Sequence, residues 1–470
     1  MHSQRSASIA GTASAPLGLT FDRLASLRDV LARTHMRWLV AILVVGLALR
    51  LVWVVAVQPD PRDGRFDDTV WYYNTARHLA AGDGYVFPGD TFCAFGDTIG
   101  CDELPPTALW APGYSIALAT LLNLPGDDVA YARALNLAAG LALLVGVYYL
   151  GSRLWDRRAG LLAAGIMALF PGHIFFSSLV LSETLFVALA IGLLALALAW
   201  TAQRDVAPWR VVALGVAAGA VALVRPEGLV FASAVVLAWL AVHRSWRRTA
   251  QHTALLIAGI AVLVVPWGVR NAVQLDAPVF GTTGLGQVLI QAHHEDADGQ
   301  PEFWIASELW QRHAAVPLPE REVRVNNTGI RESVEYVLDH PGDDLALVPE
   351  RFAAFYRGDR GGLIWNGVQD RDGGSALSES AAGAWGAVAD GYYYAVLAVA
   401  LLALPLWLRR SDGRHLLLWA PFLAYSAMWA FLFVGEPRYH LPLLPVFALV
   451  AAIGLAAAWG RLTPDREEAA

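Results

Sequence analysis

The chain has 470 residues, 56% of them apolar and only 16% charged, with a mean hydropathy of +0.45. A soluble globular chain carries about 25% charged residues, so a soluble enzyme, a disordered tail and a fibrous protein are excluded and lipid is the main solvent. The formal net charge of −7 acquires meaning only when mapped along the chain, where every basic residue other than His is Arg.

Residues 1–36 read as a polar tail ending in an apolar stripe, Phe21, Leu24, Leu27 and Leu31, beside Arg23, Arg28 and Arg33. That pattern predicts an interfacial amphipathic helix. The first apolar run starts too late and is too long for a cleaved signal peptide. A spanning helix needs roughly 20 apolar residues. Runs of that kind predict ten spans, at about 37–57, 129–151, 159–178, 182–202, 210–224, 228–243, 251–269, 387–408, 415–434 and 440–459. The fifth and sixth are short and are broken by Arg225-Pro226-Glu227-Gly228. The predicted divisions are therefore a first span at 37–57, a large loop at 58–128 and spans two to seven within 129–269. A second large loop at 270–386, spans eight to ten within 387–460 and a tail at 461–470 follow. The fold class is an all-α integral membrane protein.

Basic residues collect on the cytoplasmic side of membrane proteins. With the N-terminus inside, the inner segments hold 18 Arg against 8 acidic residues, and the outer segments hold 15 Arg against 33. Both termini are thus expected in the cytoplasm of a cell with a plasma or inner membrane. Both large loops, and any polar chemistry, are expected on the extracytoplasmic face. Cys93 and Cys101 lie in the first loop with Gly96 and Gly100 between them. In an oxidising compartment they are expected to form a disulfide. The second loop contains helix-like stretches at Gly329–His340 and Leu345–Tyr356 but no evident catalytic domain.

The segment from Arg65 to Leu79 is the richest in chemistry. Asp67 or Asp68 can cap a helix whose Trp71, Tyr72, Ala76 and Leu79 share one face. Such a helix would lie on the outer membrane surface with a carboxylate at its start. A plain cap with an aromatic anchor is the alternative for either Asp taken alone. Three arginines, Arg225, Arg270 and Arg438, sit at outer helix ends, where snorkelling or a lipid headgroup contact is the alternative to a functional role. Glu183 opens the fourth span, a place where an acid also favours the helix dipole. His173 reads as a hydrogen-bonded structural residue, with a place in the same cavity as Glu183 as the alternative. Arg50, inside the first span, is costly there, and packing against an acid or backbone carbonyls accounts for it.

Several motifs in order carry a resemblance. They are Asp68 with Tyr72, Ala76, Leu79 and Gly82-x-Gly-Tyr85; Trp110-Ala-Pro-Gly-Tyr114; Arg153-Leu-Trp-Asp-Arg-Arg-Ala-Gly160; Phe170-Pro171; and Leu181-Ser-Glu-Thr-Leu-Phe186. Val224-Arg-Pro-Glu-Gly228, Pro266-Trp-Gly-Val-Arg-Asn271 and Arg438-Tyr-His-Leu-Pro-Leu-Leu-Pro445 complete the set. Together they resemble the GT-C membrane glycosyltransferases, in the branch of the protein O-mannosyltransferases and aminoarabinose transferases. The resemblance implies transfer of a sugar from a polyprenyl-phosphate or diphosphate carrier to an extracytoplasmic protein, envelope glycan or lipid, usually with inversion. It implies Asp68 as base, Glu183 lining the acceptor side of the cavity or helping to bind a metal, and Asp67, Tyr72, Arg225, Arg270, Arg438 and Tyr439 at the substrates, with Arg270 and Arg438 expected to hold the donor phosphate. Asp67-Asp68 stands where some branches carry Asp-Glu, so which carboxylate works is open; spacing to Tyr72 favours Asp68. Arginine offers a donor fork matched to phosphate oxygens.

No cofactor is required by the sequence, although Asp68 and Glu183 could hold one divalent ion, Mg or Mn, together. Nothing points to nucleic acid. The alternative class is a multi-pass transporter or lipid-carrier flippase, in which repeated halves and mid-membrane polar groups are expected; a non-catalytic envelope scaffold would not need this rim of charge.

Overall fold

The computed structural model describes residues 21–62, 68–88, 104–201, 206–368 and 377–462, the side chains of 21–33, 201, 367, 368, 461 and 462 apart. The expected disulfide between Cys93 and Cys101, and Asp67, lie outside the described residues. The elements are helical throughout, with one isolated antiparallel bridge between Val86 and Pro106. In chain order they begin with α1 (Phe21–Val57), α2 (Asp68–Ala81), α3 (Gly113–Leu122), α4 (Asp128–Leu154), α5 (Arg157–Ala168), α6 (Pro171–Phe175) and α7 (Glu183–Thr201). They continue with α8 (Pro208–Val224), α9 (Leu229–His243), α10 (Trp246–Gln274), α11 (Leu285–Ile290), α12 (Phe303–Arg312), α13 (Glu320–Asp339), α14 (Pro341–Ala346) and α15 (Val348–Phe355). The last four are α16 (Gly361–Leu363), α17 (Glu379–Arg410), α18 (Leu416–Phe431) and α19 (Leu444–Leu462).

Among the described residues seven helices are long and apolar enough to cross a membrane, and a bent pair makes an eighth if counted as one span. The predicted run at 159–178 is that bent pair. Its two arms, Arg157–Ala168 and Pro171–Ser178, meet at 57°. Pro171 has no N–H to continue the ladder and Phe170 is extended, so the chain kinks there. The break at Arg225-Pro226 has the same cause. Arg225 precedes a proline and is extended, with φ −152° and ψ 124°. With 17 and 16 residues, α8 and α18 fall short of the roughly 20 residues that a spanning helix needs. The expected amphipathic segment is continuous with the first span, because α1 runs unbroken from Phe21 to Val57.

Close packing comes from small residues, as is usual where lipid removes the hydrophobic drive between helices. Helices α8 and α10 touch at Gly215 and Gly259, where an added Cβ would sit 2.2 Å from a carbonyl oxygen of the facing helix. Arg50 is fully buried. Its Nη1 donates to Gly46 O at 3.0 Å and Ala168 O at 3.3 Å, and Nη2 to Met167 O at 3.5 Å. A cation thus satisfies the carbonyls that end α5 at the kink.

The long chain segments outside the bundle pack on one another. Glu322 of α13 is fully buried. It accepts from Thr107 Oγ1 at 2.6 Å, from Ala108 N at 2.8 Å and from the Thr283 hydroxyl, clamping α13 and Thr283 onto residues 107 and 108. The stretch expected as a helix at 329–340 is the second half of α13, and the one at 345–356 is divided between α14 and α15 at Leu347. Helix α2 departs from the one-faced surface helix expected of it. Thr69, Val70, Trp71, Tyr72, Tyr73, Thr75 and Ala76 are all buried, because α3 packs along the helix, with Tyr114 edge-on to Tyr72 and Phe87 edge-on to Trp71.

Candidate active site

Asp68 is the first residue of α2 and Glu183 the first of α7, so each carboxylate sits where a helix N-terminus favours negative charge. Arg225 stands at the α8 break and Arg438 in the short helical turn Pro437–Leu443 that leads into α19. The four side chains meet. Arg438 Nη2 donates to Asp68 Oδ2 at 2.5 Å, and Arg438 Nε lies 2.8 Å from Glu183 Oε1. Arg225 Nη1 is 3.1 Å from the same Glu183 oxygen and donates to Ser182 Oγ at 3.4 Å. Arg225 Nε donates to Glu227 Oε1 at 2.5 Å. The result is an alternating chain, Glu227–Arg225–Glu183–Arg438–Asp68, of three carboxylates and two guanidiniums. Glu183 is the most enclosed, its side chain 4% exposed, and Asp68 the least, at 23%.

Aromatic rings wall the cluster. The Arg438 guanidinium lies 4.5 Å from the Trp365 ring centre and 5.3 Å from that of Tyr439. Arg225 lies 5.7 Å from Tyr439, and Tyr439 stacks on Trp429 at 4.0 Å. Such faces attract cations and exclude water. Tyr72 reaches the cluster from α2. Burial pushes its hydroxyl above the ordinary tyrosine range, with Arg225 opposing and Asp68 and Glu183 reinforcing the shift. Glu436 is likewise raised by burial, with the neighbouring Arg438 opposing.

Beneath the turn that carries Arg438, buried His440 donates from Nδ1 to Phe355 O at 2.7 Å. Asp359, raised above the ordinary carboxylate range by burial, accepts from Gly172 N at 3.1 Å. A Cβ on Gly172 would fall 2.1 Å from the Asp359 carboxylate, so only glycine allows this approach. His173 is buried in the same region, edge-on to Phe170.

Of the expected site residues, the structure brings together Asp68, Glu183, Tyr72, Arg225, Arg438 and Tyr439. Arg270 it places elsewhere. Its Nη1 donates to Thr107 O at 2.7 Å and its Nη2 to Tyr85 O, while Trp267 and Tyr85 flank it. Glu227 and Trp365 are members of the cluster that sequence reasoning passed over. Glu227 had a signal, an acid two residues from Arg225 across a proline; Trp365 had none. Among the described residues no three His, Cys, Asp or Glu side chains converge as a metal site. A divalent ion held jointly by Asp68 and Glu183 does not fit this arrangement, because one guanidinium already bridges them.

Residues 105–269 match the family model described as dolichyl-phosphate-mannose-protein mannosyltransferase. No curated protein matches the chain in sequence. The fold is similar to the archaeal oligosaccharyltransferase AglB from Archaeoglobus fulgidus in complex with an inhibitory peptide and a dolichol-phosphate. The match has 14% identity and a TM-score of 0.51 over 91% of this chain and 51% of that one. A second structure of the Archaeoglobus fulgidus oligosaccharyltransferase, in complex with Zn and sulfate, matches at 13% identity and TM-score 0.50 over 91% and 49%. ArnT from Cupriavidus metallidurans in the apo state matches at 16% identity and TM-score 0.51 over 91% and 62%. The chain spans about half the length of the archaeal chains and 62% of the ArnT chain. At these identities the likeness is one of fold, and the fold is that of the GT-C membrane glycosyltransferases, in agreement with the resemblance carried by the sequence motifs.

Proposed function

We propose that this chain, a membrane protein of GT-C fold, transfers a sugar from a polyprenyl-phosphate-linked donor to an acceptor on the extracytoplasmic side, with inversion. The observation that carries the reading is the convergence of Arg225 and Arg438 with Asp68 and Glu183 in one aromatic-walled cluster. In this reading the guanidiniums hold the donor phosphate, since they supply planar donor forks and stay charged in a desolvated setting. The acceptor oxygen attacks the anomeric carbon, the bond from that carbon to the phosphate oxygen breaks, and its electron pair leaves on the phosphate. The acceptor proton passes to the Asp68 carboxylate. Glu183 fixes the spacing of the two arginines, and Tyr72 and Tyr439 line the substrates. Arg270, committed to the backbone carbonyls of Tyr85 and Thr107, ties these two residues to α10 rather than meeting phosphate. Supporting the reading are the mannosyltransferase family match over 105–269 and a similarly folded protein whose structure contains a dolichol-phosphate.

The charge asymmetry of the loops supports a reading in which this cluster lies outside a plasma or inner membrane with both termini in the cytoplasm. The acceptor is a protein, an envelope glycan or a lipid. The test is purified protein incubated with radiolabelled polyprenyl-phosphate sugars and membrane extract. Sugar transfer with release of polyprenyl phosphate is the expected result. Vectorial movement of an unmodified lipid-linked sugar in proteoliposomes, without transfer, would replace the enzyme with a flippase.

A further inference from the structure

The two arginines offered to the donor phosphate are not vacant. Arg225 is held by Glu183 and Glu227, and Arg438 by Glu183 and Asp68. The chain of five groups carries one more negative than positive charge when all are ionised. A phosphate brought to it adds another, and like charges within a few ångströms in a poorly solvated site repel strongly. One carboxylate must give way. Glu183 cannot readily do so, since it is enclosed and contacts both guanidiniums. Glu227 lies two residues from its partner Arg225 on the same turn. Asp68 belongs to a different element from Arg438, is joined to it through one hydrogen bond, and is the most exposed of the three.

We propose that Asp68 and the donor phosphate compete for Arg438, so that the ion pair in the structure is a latch which the donor itself releases. This rests on the reading of the cluster as the donor site. The phosphate takes the place of Asp68 Oδ2 at Arg438 Nη2. The displaced carboxylate, no longer held in its charged form by the guanidinium, is then a stronger base toward the acceptor hydroxyl. The base thus reaches full strength only when donor is present, and productive addition is ordered, donor before acceptor. After transfer, Asp68 loses its proton to solvent and returns to Arg438, which helps expel the polyprenyl phosphate product.

The latch makes an unusual demand of a catalytic residue: neutralising Asp68 must strengthen donor-headgroup binding while abolishing turnover. The experiment uses the full chain in phosphatidylcholine nanodiscs titrated with undecaprenyl phosphate, with undecaprenol as the uncharged control. Wild type, Asp68→Asn, Arg438→Ala and the double variant are compared, and Asp68→Ser stands in should the Asn variant not fold. Asp68→Asn is expected to bind undecaprenyl phosphate more tightly, within the roughly 5–150-fold typical of coupled sites, with undecaprenol binding unchanged. In the double variant the gain should vanish, leaving the affinity of Arg438→Ala alone. Equal or weaker binding by the neutral Asp68 variants overturns the latch, as does a gain that persists without Arg438. If wild type itself binds undecaprenyl phosphate no better than undecaprenol, the donor-site reading falls and the latch falls with it.

Discussion

Arg438 and Arg270 pose the same problem with opposite solutions. Each ends or adjoins a long apolar helix, each is flanked by aromatic rings, and each lies near a buried glutamate. Arg438 spends its donors on carboxylates, Asp68 and Glu183. Arg270 spends its own on the carbonyls of Thr107 and Tyr85, while the nearby Glu322 takes hydroxyl and N–H donors instead. A carboxylate partner can be exchanged for a phosphate with little change in charge. A carbonyl partner cannot, because its removal leaves a buried acceptor unsatisfied. The identity of the partner, rather than the presence of an arginine at a helix end, separates a site from a strut.

Breaking the first region should have the largest effect. Arg438→Ala removes the one cation shared by Asp68 and Glu183. It should lower turnover by about 10²–10³-fold, as loss of a donor to a developing oxyanion does, measured as release of polyprenyl phosphate. Arg270→Ala should act differently. It takes the guanidinium donor from the Thr107 carbonyl and leaves the Tyr85 carbonyl with the Thr107 N–H at 3.3 Å, costing roughly 1–3 kcal/mol of stability, read in thermal unfolding. Turnover at low temperature should stay within a few-fold of wild type. Equal losses of turnover in the two variants would erase the distinction.

The clamp sharpens the comparison through pH. Burial holds the Glu322 carboxyl above its ordinary 4.5, with the bonds from Thr107, Thr283 and Ala108 opposing. The folded state therefore keeps this proton to higher pH than the unfolded chain does. Its stabilisation is complete below the ordinary value and is lost as pH rises through the folded one. Glu322→Gln should remove that slope from the thermal midpoint between pH 4.5 and the raised value, a smaller effect than either arginine variant. An unchanged slope would assign the pH dependence to another group.

The helical class, the break at Arg225-Pro226 and the start of α2 at Asp68 were legible because each is written locally, in apolar runs, proline and an N-cap acid. So were Asp68, Glu183, Arg225 and Arg438 as candidates, through motifs on one side of the predicted topology, although Arg270 was expected beside Arg438 where the structure has Arg225. The kink at Pro171 was within reach of the same proline rule but was absorbed into one run of apolar residues. The partner of Arg270 was not legible, since Thr107 and Tyr85 lie over 160 residues away and contribute only backbone. Trp365 joins the cluster by tertiary packing alone. The sidedness remains a direct expectation of the Arg distribution: reporter fusions at 156, 246 and 412 should all read cytoplasmic, and an outside signal at any of them would refute the topology.

The central claim is that Asp68 accepts the acceptor proton at a phosphate site built on Arg438 and Arg225. Single-turnover transfer from a radiolabelled polyprenyl-phosphate sugar, with Asp68→Asn and Asp67→Asn compared in protein shown to be folded, tests it most directly. Asp68→Asn should slow transfer on the order of 10²–10⁴-fold, with donor still bound and Asp67→Asn active. A dead Asp67→Asn beside a near-normal Asp68→Asn would move the base by one residue, and near-normal transfer in both would contradict the account.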